Sequence, residues 1–182
     1  MIIGITGTLG AGKGTVADFL IKEKGFGHYS VRDFLVEEIK KRELTVNREN
    51  MVMVGNDLRA THGAGYVVLE LYKRAQAAGK NAVIESVRTV GEVETLRTLP
   101  DFQLWAVDAD PKTRYERIKL RKTVTDNQTF EEFVADEKRE MTSNDPAKQN
   151  LAECIALSDN VFINNGSKED LLKEVGKVLQ TL

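Results

Sequence analysis

The chain has 182 residues, of which 41% are hydrophobic and 30% are charged, and its formal net charge is −2. This composition is typical of a folded globular domain and excludes a disordered chain, while the small net charge argues against a general nucleic-acid scaffold. The single cysteine, Cys154, cannot form an internal disulfide, and every apolar run is too short for a membrane span. We therefore expect a cytoplasmic protein, a monomer or homodimer, that binds no nucleic acid and no membrane.

Short apolar runs alternate with amphipathic stretches along the chain. The apolar runs predict strands at residues 1–6, 28–31, 81–87, 102–109 and 161–164. The amphipathic stretches predict helices at residues 13–24, 32–42, 47–62, 66–78, 111–121, 129–141, 151–157 and from 167 onwards. A capping box at residues 89–92 marks one further helix start, and a second box at residues 129–132 opens the helix at 129–141. Strands separated by helices indicate one domain over residues 1–182, a three-layer α/β/α sandwich around a five-stranded parallel sheet.

A glycine-rich segment joins the first predicted strand to the first predicted helix. It has the spacing G-x-x-x-x-G-K and reads Gly7, Thr8, Leu9, Gly10, Ala11, Gly12, Lys13, Gly14, Thr15. Glycines allow successive backbone N–H groups to turn inward and bind an anion, and the helix N-terminus adds its partial positive charge. We expect Lys13 to contact the β and γ phosphates of ATP and the Thr15 hydroxyl to serve Mg²⁺. The dinucleotide fingerprint G-x-G-x-x-G is absent from this segment, so a nicotinamide-type enzyme is not expected.

Several stretches resemble a known family. Residues 10–15 resemble the phosphate-binding loop (P-loop) of adenylate kinases, and residues 83–88 resemble the strand-end acid and the acceptor-binding arginine of nucleoside monophosphate kinases. Residues 114–121 and 136–140 resemble the two ends of their mobile lid. Over nearly its whole length the chain is also similar to archaeal and bacterial nucleotide-kinase-like and dephospho-CoA-kinase-like proteins. The resemblance implies a P-loop nucleoside triphosphate hydrolase fold, acceptor-binding helices at about 32–79, and a short lid at about 117–140.

Four residues are candidates for the acceptor side of the site. Ligands bind at the carboxyl ends of parallel strands, where Glu85 and Arg88 are predicted to lie. Glu85 is expected to hold Mg²⁺ and contact the substrate, although an ion-paired acid is the alternative, and Arg88 to grip a phosphate with its planar fork. Asp33 either orients an acceptor hydroxyl or acts as a base, or it is a plain helix N-cap. Arg59 is expected to line the acceptor pocket.

On the donor side, Arg121 and Arg139 are expected to contact ATP phosphates, and Asn165-Gly166 to cradle the adenine as related folds do, with a plain turn as the alternative. Arg114 is interpreted as part of a solvated charged face. His28 has no matching partner for metal or triad chemistry and is expected to be an ordinary surface or packing residue.

These residues predict a kinase that uses ATP and Mg²⁺ to phosphorylate a small-molecule nucleotide acceptor. A nucleoside monophosphate is the expected acceptor, and a pyrimidine deoxynucleotide is one candidate because similar modules occur joined to deoxycytidylate-deaminase-like domains. Two alternatives remain open. The acceptor could be dephospho-CoA, or the chain could be a switch or assembly module that binds ATP and hydrolyses it slowly.

Overall fold

A computed structural model of the protein describes residues 1–121 and 129–182, without the side chains of Arg48 and Arg121. The predicted lid loop at residues 122–128 and the predicted contacts of Arg121 therefore lie outside the described residues.

Five strands form one parallel sheet in the order β2-β3-β1-β4-β5. They are β1 Ile2–Gly7, β2 Gly27–Ser30, β3 Ala82–Glu85, β4 Phe102–Asp108 and β5 Asn160–Ile163. The predicted five-stranded parallel sheet is confirmed. The third strand ends at Glu85, earlier than predicted, because Ser86 adopts a positive φ of 74° and the N–H groups of Ser86 and Val87 both donate to the Ile5 carbonyl.

The described residues form the helices α1 Lys13–Lys24, α2 Val31–Lys41, α3 Arg48–His62, α4 Tyr66–Ala78, α5 Val90–Arg97, α6 Pro111–Arg121, α7 Phe130–Met141, α8 Leu151–Ala156 and α9 Lys168–Leu179. Both predicted capping boxes are present, at the starts of α5 and α7. The helix-cap alternative for Asp33 is wrong. Ser30 is the N-cap of α2, and its hydroxyl accepts the Asp33 backbone N–H.

Both faces of the sheet are buried, as expected for parallel strands covered by helices. Along β1, Ile3 and Ile5 face α1 and α9, and Trp105 lies in the same apolar cluster. Ile2 packs on the opposite face in a second cluster, to which α2, α3, α4, α5 and α8 contribute. The three-layer α/β/α sandwich is thus confirmed. Within the described part of the chain, no helix combines the length and apolar character that a membrane crossing requires.

Candidate active site

The loop between β1 and α1 requires glycine at two positions in particular. Gly7 has a φ of 127°, and a Cβ there would lie 2.0 Å from the Val107 carbonyl oxygen. Gly12 has a φ of 110°, and its Cβ would lie 2.5 Å from the Asn164 side-chain nitrogen. Since L side chains avoid this backbone region and space is lacking at both positions, the glycine spacing of the loop follows from its path.

Side chains at the ends of β4 and β5 hold the loop in place. The Thr8 hydroxyl donates to Asp108 Oδ1 at 2.5 Å, at the end of β4. Directly after β5, Asn164 Nδ2 donates to the Ala11 carbonyl at 2.7 Å. The sequence analysis did not single out Asn164, although a polar side chain directly after an apolar strand was a usable signal. The loop is therefore preorganised to present its backbone N–H groups to an anion.

Lys13 lies at the centre of a group of charges. Its ammonium donates to the Gly7 and Thr8 carbonyls at 2.8 and 2.7 Å. Burial, and secondly the Arg88 guanidinium, lower the pKa of Lys13 from 10.5 to about 8. The carboxylates of Glu85 and Glu140 act in the opposite direction and raise the pKa. Residues from distant parts of the chain thus converge on the loop lysine.

Arg88 has a fixed backbone and a loosely held head group. Its N–H donates to Glu92 Oε2 at 2.8 Å, and its carbonyl accepts the Asn150 N–H at 3.0 Å. By contrast, Nη1 lies 3.5 Å from both Glu140 Oε2 and Gln149 Oε1, and 35% of the side chain is exposed. Contacts of this length are weak hydrogen bonds, so the guanidinium is free to bind a better anion.

Glu85 ends β3 on the loop side of the sheet and is paired with a histidine. Its Oε2 lies 3.0 Å from His28 Nε2 on the neighbouring strand β2. The sequence offers His28 no partner for metal or triad chemistry, and its contact with Glu85 arises because strand pairing brings together residues that are 57 positions apart. The ion-paired alternative for Glu85 is compatible with this contact whenever His28 is protonated.

The residues present fit a magnesium ion that is shared with phosphate oxygens. Mg²⁺ usually binds one or two carboxylates together with substrate phosphates and water. Glu85 supplies a carboxylate at the strand end, and Thr15 lies half-buried in the first turn of α1, where it can offer its hydroxyl. Among the residues that the structure describes, no group of three His, Cys, Asp or Glu side chains could hold a metal by itself.

Arg59 is connected to Arg88 through a buried acid. Its Nη2 lies 3.3 Å from Glu92 Oε1, while the other Glu92 oxygen accepts the N–H groups of Arg88 and Thr89. Glu92 is only 1% exposed. The Arg59 Nε is buried and has no hydrogen-bond partner within the described ranges 1–121 and 129–182. Asp33, in contrast, lies exposed in the first turn of α2.

The structure corrects the interpretation of Arg114 as a solvated residue. Its relative exposure is 2%, and its guanidinium forms a bidentate ion pair with Glu137 on α7. Nε also donates to the Ala109 carbonyl at 2.7 Å, and Nη1 to the Leu9 carbonyl in the phosphate loop at 3.3 Å. The helical pattern of α6 did not reveal this, because α7 covers that face of the helix. Arg114 thus ties α6, α7 and the loop together.

The predicted donor-side segment at residues 165–166 is held by hydrogen bonds, whereas Arg139 is exposed. Arg117 donates to the carbonyls of Asn164 and Gly166 at 2.7 and 3.2 Å, and Asn165 Oδ1 accepts the Asp110 N–H at 2.8 Å. The segment after β5 is therefore fixed beside the loop. Arg139 is 77% exposed and pairs with Asp136 at 2.8 Å. The structure does not bring its guanidinium into contact with the loop.

A glycine loop followed by lysine, between the central strand of a parallel sheet and the next helix, defines a P-loop protein. The sequence profile of the AAA domain matches residues 3–145, and the chain belongs to this family. The UPF0200 protein of Thermococcus kodakarensis is 32% identical over 188 residues, an alignment that covers 100% of this chain and 98% of the relative. A UPF0200 protein of Pyrobaculum aerophilum is also 32% identical, over 183 residues, with 100% and 98% covered.

Solved structures agree on the fold. TT1252 from Thermus thermophilus superposes with a TM-score of 0.62 at 23% identity, covering 100% of this chain and 97% of that chain. The shikimate kinase of Acinetobacter baumannii, solved in complex with shikimate, gives a TM-score of 0.61 at 16% identity, covering 99% and 93%. The chain therefore shares the three-layer α/β fold of these structures, which agrees with the P-loop fold that the resemblance implied.

Proposed function

We propose that this chain is a nucleotide kinase that transfers the γ-phosphoryl group of ATP to a nucleoside monophosphate, with a pyrimidine deoxynucleotide as one candidate. The observation that carries the proposal is the loosely held Arg88 guanidinium, with Nη1 at 3.5 Å from both Glu140 Oε2 and Gln149 Oε1, on the same side of the sheet as the loop lysine, whose pKa its charge lowers. Two cations held close together at the partly buried carboxyl-terminal edge of the sheet repel each other. A polyanion between them removes that cost, and a donor and an acceptor phosphate together are such a polyanion.

Different residues of the chain bind the donor and the acceptor. The loop N–H groups and Lys13 bind the donor phosphates, and Arg88 orients the acceptor phosphate for in-line attack. An acceptor phosphate oxygen then bonds to the γ-phosphorus, and the bridging oxygen leaves with its electron pair on ADP. Mg²⁺, held by Glu85 and Thr15, would neutralise charge on the transferring group.

Acceptor chemistry distinguishes the proposed substrate from its rival. A phosphate oxygen attacks without losing a proton, so a nucleoside monophosphate needs no general base, and Asp33 is left to orient the acceptor. A hydroxyl acceptor such as dephospho-CoA must lose its proton. In that case Asp33 would be the candidate base, since its exposed carboxylate lies at the start of α2.

The remaining assignments are parts of the same proposal. Helices α2 to α4 form the acceptor-binding region, in which Arg59 borders the acceptor pocket. We assign the lid to residues about 117–140, with Arg121 and Arg139 as ligands of the donor phosphates. Residues 122–128 and the Arg121 side chain lie outside the described residues, and α7 is held to α6 by the Arg114–Glu137 pair. Arg139 must leave Asp136 to bind a phosphate, which costs little because exposed pairs of this kind are weak. Asn165 and Gly166 offer backbone groups to the adenine.

One assay tests the proposal directly. The pure protein is incubated with γ-labelled ATP, Mg²⁺ and, separately, each nucleoside monophosphate, each deoxynucleotide and dephospho-CoA. A labelled nucleoside diphosphate supports the proposal, and labelled coenzyme A supports the rival. Labelled inorganic phosphate at the same rate with every acceptor and with none identifies a slow ATPase and overturns the kinase proposal.

The depressed pKa of Lys13 predicts how nucleotide binding depends on pH. Bound phosphate favours the protonated ammonium, so above about pH 8 the protein must take up a proton to bind. The affinity for a non-hydrolysable ATP analogue is therefore expected to fall roughly 20-fold between pH 7.5 and 9.5. Titration calorimetry measures this, and Lys13→Met should bind weakly with a much flatter profile. A flat profile in the parent protein would contradict the prediction.

Arg88→Ala is expected to impair use of the acceptor while leaving ATP affinity nearly unchanged. Loss of a charge-assisted bidentate contact costs about 1.5–3 kcal/mol, or roughly a 10- to 150-fold loss of kcat/KM for the acceptor. Steady-state kinetics with each substrate varied in turn measures both effects. Arg139→Ala, which removes an exposed arginine on α7, is the comparison for a donor-side role. If Arg88→Ala weakens only ATP binding, Arg88 belongs to the donor site.

A further inference from the structure

Helix α7 carries two glutamates, one turn apart, that contact arginines on the two sides of the site. Glu137 forms the bidentate pair with Arg114, which in turn donates to the Leu9 carbonyl of the phosphate loop. Glu140, at the i+3 position, lies 3.5 Å from Arg88 Nη1. Residues at this spacing share one face of a helix. The buried Glu137 pair therefore fixes the place from which Glu140 reaches Arg88.

The contact between Glu140 and Arg88 differs from the other pairs in the site. Arg114 and Glu137 are well buried and make two hydrogen bonds, whereas Arg88 and Glu140 are about one-third exposed and touch only at the limit of hydrogen bonding. Gln149 Oε1 lies at the same 3.5 Å on the same nitrogen. Two oxygens, one charged and one neutral, thus surround Arg88 Nη1 without binding it tightly. A phosphate oxygen at normal distance replaces them favourably.

We propose that Glu140 stands in for the acceptor phosphate in the substrate-free protein and that its negative charge selects which acceptors displace it. The inference rests on the proposed function for the name of the acceptor, but not for the anion site at Arg88. A phosphate monoester, with nearly two negative charges, competes successfully with one loosely held carboxylate. A neutral or singly charged group gains little over Glu140. The residue is thus a specificity determinant for phosphate-bearing acceptors.

The test compares glutamate-to-glutamine changes on α7, which remove charge and keep shape. Inorganic phosphate is titrated into the full-length protein with the P-loop saturated by ADP, and binding is measured by calorimetry. Glu140→Gln is expected to tighten phosphate binding roughly twofold to fivefold, the range for a partly exposed charge pair. Glu131→Gln changes the same charge at an exposed position of the same helix and is expected to leave binding unchanged.

Arg88→Ala completes a double-mutant cycle. In that background, Glu140→Gln should have a much smaller effect, because the arginine that both anions share is gone and only the weaker action of the Glu140 charge on Lys13 remains. If Glu140→Gln tightens phosphate binding equally with and without Arg88, or if Glu131→Gln tightens it as well, the inference is overturned. The change in affinity would then be a general effect of the protein's charge. With a working kinase assay, Glu140→Gln should lower the acceptor KM and leave the ATP KM unchanged. If no acceptor is ever phosphorylated, the double-mutant cycle on phosphate binding still tests the inference independently of the kinase proposal.

Discussion

Replacing Lys13 by alanine is expected to abolish ATP-dependent turnover while the protein stays folded. Within the described part of the chain, Lys13 donates hydrogen bonds to the Gly7 and Thr8 carbonyls of its own loop, and its ammonium faces the charges of Arg88, Glu85 and Glu140. Removing a preorganised charge that stabilises the transition state typically lowers kcat by about 100- to 1,000-fold. Single-turnover kinetics with labelled ATP measures the loss. Lys22→Ala, at an exposed lysine on the same helix, is the matched control and should keep full turnover.

The same substitution has a distinct signature in stability. The folded-state pKa of Lys13, about 8, lies below its ordinary 10.5, so the unfolded chain binds more protons between these values. Burial of the charged ammonium therefore costs the parent protein stability below about pH 8, and stability rises between about pH 8 and 10.5 as this cost disappears. Lys13→Ala should lack this rise and melt at the same or a higher temperature at pH 7. A melting temperature that collapses together with activity would instead assign Lys13 a structural role.

Arg114→Ala is expected to give the largest loss of stability among single substitutions in the site. It removes the bidentate partner of Glu137 and leaves that carboxylate poorly compensated between α6 and α7, which costs about 3–5 kcal/mol of unfolding free energy. For a chain of this size the melting temperature should fall by roughly 6–20 °C. Denaturant and thermal unfolding measure both quantities. Arg139→Ala removes an exposed arginine on α7 and should change stability by less than about 0.5 kcal/mol.

A double variant distinguishes the contribution of the ion pair's charge to stability from the contribution of its packing. Arg114→Met with Glu137→Leu replaces the ion pair by apolar side chains of similar size, and such replacements recover most or all of the stability lost by breaking a buried pair. Activity should nevertheless stay low in the double variant, because the Leu9 carbonyl of the phosphate loop has lost its donor. If Arg114→Ala is as stable as the parent protein, the Arg114–Glu137 ion pair does not stabilise the packing of α6, α7 and the phosphate loop.

Much of the fold could be read from local patterns. The apolar runs, the G-x-x-x-x-G-K spacing before a helix, and the capping boxes at Thr89 and Thr129 all appear in the structure where they were predicted. These signals depend on residues within one or two turns of each other, or on a backbone path that only glycine allows. Strand ends were less accurate, as at Glu85, because the positive φ of Ser86 has no strong signature in a non-glycine residue.

The sequence by itself determined the P-loop, the parallel sheet and the rim at which Lys13, Glu85 and Arg88 gather, because strand alternation and loop chemistry are encoded locally. Only the tertiary structure decided which polar side chains contact one another. Thr8 with Asp108 and Asn164 with Ala11 are 100 and 153 positions apart, and Arg114 with Glu137 is joined across two helices. Such contacts depend on how helices and strands pack, and hydrophobic periodicity leaves the partner of a polar residue undetermined. For that reason Arg114 looked solvated in the sequence and is one of the most buried charges in the site.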